Sequence, residues 1–85
     1  MNVDITFQEK PELATIASFK LLNLKTEKDF KETLAIIIIL SADYYLDPEI
    51  GVEDLMEFTE QAKENNKAIM TLEISEEGLE LEFLD

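Results

Sequence analysis

Ala68-Ile69-Met70-Thr71-Leu72-Glu73-Ile74-Ser75-Glu76-Glu77-Gly78-Leu79-Glu80-Leu81-Glu82-Phe83-Leu84 is the stretch that decides the fold. Apolar and polar residues alternate on both sides of Ser75-Glu76-Glu77-Gly78. A period of two is the mark of a half-buried strand, and the Gly-containing centre is a turn, so the segment predicts a hairpin of Ala68–Ile74 and Leu79–Leu84. Strand alternation fixes the register by placing apolar residues on one face. Ile74 then faces Leu79, Leu72 faces Leu81 and Met70 faces Phe83. The same register sets Glu73 opposite Glu80, with Glu82 beside them on the outer face.

Immediately upstream, residues 52–65 form the clearest helix. Val52, Leu55, Met56, Thr59 and Ala62 share one face, and Glu53, Glu57, Glu60 and Glu64 share the opposite one. Asn65-Asn66 end the helix. Asp47-Pro48-Glu49-Ile50-Gly51 is a turn, with Asp47 positioned to cap the helix after it. Thr26-Glu27-Lys28-Asp29 predicts a helix start with Thr26 as N-cap, and the helix is expected over 27–45. Phe30, Leu34, Ile37, Ile38 and Tyr45 would share its inner face. The run Ile36-Ile37-Ile38-Ile39 complicates this reading, because β-branched residues favour strands.

Residues 12–24 carry two periodicities. Leu13, Ile16, Ala17, Leu21 and Leu24 fit a helical stripe, whereas Ala17, Phe19 and Leu21 alternating with Ser18, Lys20 and Leu22 fit a strand. With Pro11 suited to a first helical position, helix is the expectation. Val3, Ile5 and Phe7 alternate with polar residues and predict a strand ended by Glu9-Lys10-Pro11. The predicted architecture is a single α+β domain over residues 1–85. An antiparallel sheet of Val3–Phe7 and the C-terminal hairpin is covered on one face by two or three helices.

The charge is unevenly spread. The net is −13. Residues 1–42 hold six acids and five lysines, a net of −1, so residues 43–85, with fourteen acids and two lysines, carry −12. Polyanions such as nucleic acid and anionic membranes are therefore not expected as direct partners. A basic protein surface is the natural complement. The longest apolar run, Leu34–Leu40, is far short of the ~20 residues of a membrane span. Met1-Asn2-Val3-Asp4 lacks the basic and apolar regions of a signal peptide, which leads to a cytoplasmic expectation.

Catalytic chemistry finds little material here. The chain has no histidine and no cysteine, so Ser18, Ser41 and Ser75 lack the usual activating base. Two glycines cannot build a Gly-rich phosphate cradle. The acids near Asp47 fail the calcium-loop pattern, since its fifth position is Gly51 and its twelfth is Phe58. No enzyme, metal or cofactor is expected.

The acids themselves are the candidate site: Glu53, Glu57, Glu60 and Glu64 on the helix, and Glu73, Glu76, Glu77, Glu80 and Glu82 on the hairpin. At 1.5 Å rise per residue the helix set is spaced about 6 Å apart along one line, comparable to the separation of successive phosphates on a nucleic-acid strand. Outer helix faces are commonly charged for solubility alone. Here, however, like charges occupy i, i+4 at 53/57 and 60/64, and with Glu73 opposite Glu80 the repulsion sums to roughly 1–2 kcal/mol. In composition, though in no motif, the chain resembles the small acidic inhibitors of phages and plasmids that imitate nucleic acid, and antitoxins. The expectation is a non-enzymatic inhibitor that presents one coherent anionic surface to a basic nucleic-acid-binding protein. The rival expectations are a homo-oligomeric structural or assembly protein, dimerising through Ile36–Leu40, and an antitoxin or immunity protein.

Overall fold

The computed structural model describes residues 3–9 and 13–85. Its elements run β1 (Val3–Glu9), β2 (Leu13–Lys20), a 3-10 turn (Leu21–Asn23), α1 (Glu27–Ala42), α2 (Val52–Glu64), β3 (Ile69–Ser75) and β4 (Gly78–Leu84). The strands form one four-stranded antiparallel sheet in the order β1-β2-β3-β4. The α+β class and the C-terminal hairpin are as expected, and so is its register: Ile74 faces Leu79, Leu72 faces Leu81, Met70 faces Phe83 and Glu73 faces Glu80. Neither Glu76 nor Glu77 takes a positive φ, and the turn's positive φ falls on Gly78, at 138°.

Residues 13–20 are a strand, which corrects the helical expectation for 12–24. Pro11 and Glu12 lie outside the described residues. The strand reading wins because β2 sits between β1 and β3 and pairs along both sides. Thr15, Ala17 and Phe19 are buried on one face, while Ile16, Ser18 and Lys20 take the other. Between two partners a strand satisfies its main-chain groups in the sheet, which outweighs the helical spacing of its apolar residues.

α1 begins as expected. Thr26 Oγ1 accepts from the Asp29 N–H (3.3 Å), and Asp29 Oδ2 accepts from the Thr26 and Lys25 N–H groups (2.9 and 3.1 Å). The helix ends at Ala42, three residues earlier than expected, and Tyr45 stands beyond it in the left-handed region at φ 57°. Phe30 and Ile37 are buried and Leu34 is half-buried. Ile38 and Tyr45, expected on the inner face, are 48% and 98% exposed. α2 is capped by Asp54, whose carboxylate accepts from the Gly51 N–H (3.0 Å), and not by Asp47.

The apolar faces of both helices and the sheet meet in one core, built around Phe19, Leu21, Leu24, Phe30, Ile37, Leu55, Ala62, Met70, Leu72 and Ile74. Thr33, Ser41 and Thr59 are buried among them, and each hydroxyl donates to the carbonyl four residues earlier. At the C-terminal end of α1 the Tyr44 hydroxyl lies 2.7 Å from Thr15 Oγ1, tying the helix to β2. Both helices therefore cover one face of the sheet, and among the described residues the other face has no helix over it. No helix among the described residues is long and apolar enough to cross a membrane.

Candidate protein-interaction surfaces

α2 is the most regular of the charged elements. Leu55, Thr59 and Ala62 are buried within an arc of about 60°. Glu53, Glu57, Glu60 and Glu64 are exposed within a similar arc on the opposite side. The row thus points directly away from the sheet. The helix has one lysine, Lys63, and its Nζ donates to the carbonyl oxygen of Leu24 at 2.8 Å. The ion pairs among the described residues are Lys31–Glu27 (3.3 Å) and Lys67–Asp85 (2.8 Å), and neither involves the nine candidate glutamates.

The hairpin acids lie elsewhere. Glu73, Glu80 and Glu82 alternate with the residues that face the core, so they occupy the helix-free face of the sheet. Across that face Thr6, Ile16, Glu73 and Glu80 form one row, and Asp4, Ser18, Thr71 and Glu82 form the next. A shallow concavity of about 530 Å³ is lined there by Ile16, Thr71, Glu73, Glu80, Leu81 and Glu82. Glu76 and Glu77 are exposed at the hairpin turn. The nine carboxylates therefore divide into a helix row on one side of the molecule and a sheet cluster on the other, with two at the turn. The single surface expected from the sequence is two surfaces. The cause is the layered fold itself: where a helix and a strand bury their apolar faces against each other, their polar faces point apart.

Two further features border these surfaces. Phe58 lies off the apolar stripe of α2 and is 40% exposed. With Gln61, Ala62, Asn65, Lys67 and Phe83 it lines an open cleft of about 490 Å³ between α2 and the end of β4. The sequence held a signal for this cleft, a large aromatic placed outside the 52/55/56/59/62 stripe. On α1, Ala35, Ile38, Ile39 and Ala42 are exposed next to one another, with Ile39 at 66%. Along 33–42 the helix carries no charge.

The N–H of Thr26, then that of Lys25, holds the Asp29 carboxyl below its ordinary value. Among the described residues no group of three acids is placed to hold a metal ion. Compared with family models, with curated proteins and with solved structures, the chain has no match in any of the three.

Proposed function

We propose that the protein is a non-enzymatic inhibitor whose α2 glutamates enter the basic groove of a nucleic-acid-binding protein. One observation carries this reading: Glu53, Glu57, Glu60 and Glu64 stand in one exposed line, and the helix's single lysine is spent on the Leu24 carbonyl. Four carboxylates about 4.5–6 Å apart along the helix axis suit a row of lysines and arginines spaced to hold successive phosphates. Long-range attraction then makes association fast and salt-sensitive. A cytoplasmic setting goes with such a partner. The test is capture of basic proteins from a lysate followed by binding measured from about 50 to about 500 mM NaCl. A DNA- or RNA-handling partner whose affinity falls steeply with salt supports the reading, and flat affinity counts against it.

A second reading is a homodimer through α1, in which the acids serve solubility. It is favoured by the exposure of Ile38 and Ile39 and by Tyr45, an aromatic held in a left-handed conformation with 98% of its surface exposed. Such a conformation costs a non-glycine residue about 1 kcal/mol or more. Tyr45→Gly relieves it, so a more stable chain that no longer self-associates in sedimentation supports the dimer. A wild-type protein that sediments as a monomer at high concentration rejects it.

A further inference from the structure

β4 is the last strand of the sheet, paired with β3 along one side and with no described strand along the other. Every second residue of such a strand presents an N–H and a C=O without a ladder partner. The two faces of this strand differ. Leu79, Leu81 and Phe83 face the helix layer but are only half-buried, while their neighbours Ile74, Leu72 and Met70 on β3 are fully buried. Beside Phe83 lies the open cleft under Phe58. Glu80 and Glu82 face the helix-free side, where Glu73 adjoins Glu80, and no ion pair among the described residues engages any of the three.

Unpaired main chain, half-buried apolar side chains ending at the Phe58–Phe83 cleft on one face and carboxylates on the other together make a template for one more strand. The side chains of an extended segment point alternately to the two faces of a sheet. On this edge one set would lie beside Leu79, Leu81 and Phe83, reaching the cleft at Phe83, and the other would meet the glutamates. We propose that β4 accepts an extended segment of a partner protein in which apolar and basic residues alternate, added to the sheet as a fifth strand. This goes beyond the reading of α2: it uses a different face, and either holds without the other.

Charge selects the occupant. Pairing β4 with a second copy of itself in antiparallel fashion sets the glutamates of the two strands against each other, so self-addition is disfavoured. Charged edges also protect sheets from aggregation. Protection alone, however, calls for no row of half-buried apolar side chains along the edge, nor for the Phe58–Phe83 cleft at its end.

The test uses a blocked octapeptide of alternating lysine and valine, with a glutamate–valine peptide as control, added to the isotope-labelled protein. The expected result is that the lysine–valine peptide slows amide exchange in β4 by about tenfold or more and shifts the ring signals of Phe58 and Phe83. Glu80→Lys with Glu82→Lys, or separately Phe58→Ser, should weaken binding by about tenfold. Both glutamates are exposed, and retained β4 shifts would confirm an intact sheet. Glu57→Lys with Glu60→Lys should bind the peptide almost as well as wild type. Three results would overturn the proposal: shifts confined to the α2 row, protection appearing on β1 and not β4, or no binding. Each leaves the α2 reading standing, because that reading is tested by capture and by its own variants.

Discussion

Lys63 Nζ donates to the carbonyl oxygen of Leu24 across 2.8 Å, joining α2 to the segment that leads into α1. Leu24 is buried, and its carbonyl comes just after the 3-10 turn, where the chain changes direction and regular pairing is lost. The lysine supplies the missing donor. In doing so it is held away from Glu60 and Glu64, its neighbours on the same helix. One hydrogen bond therefore stabilises the fold and leaves the acidic row without a counter-charge.

Lys63→Met keeps the aliphatic stem and removes the donor. The loss should be about 1 kcal/mol, lowering the melting temperature by about 4–8 °C in a domain of this size. Affinity for a basic partner should be unchanged or slightly higher. Thermal melts and a binding titration check both halves.

Glu57→Lys should move stability and binding in opposite directions. The new lysine lies four residues after Glu53 and three before Glu60, replacing repulsion with attraction and adding about 0.5 kcal/mol. If α2 meets a cationic groove, the same change should weaken partner binding by about tenfold or more. A variant that is more stable and binds equally well would show that the row serves solubility only.

Raising NaCl from about 20 to about 300 mM should raise the melting temperature, since salt screens the repulsion among unpaired carboxylates. The effect should shrink in the Glu57→Lys, Glu60→Lys variant. A melting curve indifferent to salt would mean that the charges are too dispersed to repel one another.

Asp29 sets an acid-side limit. Its carboxylate accepts main-chain N–H groups in the folded state, and these partners hold its titration below the ordinary 3.8. A lowered folded value means that its contribution is complete above that ordinary value and is lost as pH falls through the folded one. The melting temperatures of wild type and Asp29→Asn should therefore differ by a constant amount between about pH 5 and pH 7, and approach each other only as pH falls below the ordinary 3.8. A difference that persists at low pH would assign the cap to geometry alone.

The parts of the fold legible in sequence were those whose evidence is local. In the hairpin, Met70, Leu72 and Ile74 each have a matching apolar residue in β4, and Thr71, Glu73, Glu80 and Glu82 fill the places between, so the register came from alternation alone. The Thr26–Asp29 cap was legible for the same reason, and it outweighed the strand preference of four isoleucines. β2 was not legible. Its apolar residues fit both periods, and the deciding fact is that β1 and β3 flank it. The exposure of Ile38 was hidden too, since a run apolar all round does not say which side the core takes. For the candidate site, the row on α2 was visible in its spacing. Its separation from Glu73, Glu80 and Glu82 was implied once the apolar faces of helix and hairpin shared a core.

The sheet consists of two hairpins joined by a single seam, β2 with β3, running from Thr15–Ile74 to Lys20–Ile69. A long stretch of chain, both helices included, separates even the nearest pair across it. Each hairpin can zip locally on the microsecond scale. The seam requires the ends of that intervening loop to meet before any pairing energy is returned, an entropic cost carried by the rate-limiting step. Refolding speed should therefore respond to substitutions at Ala17 and Leu72, which face each other across the seam, far more than to changes in either turn.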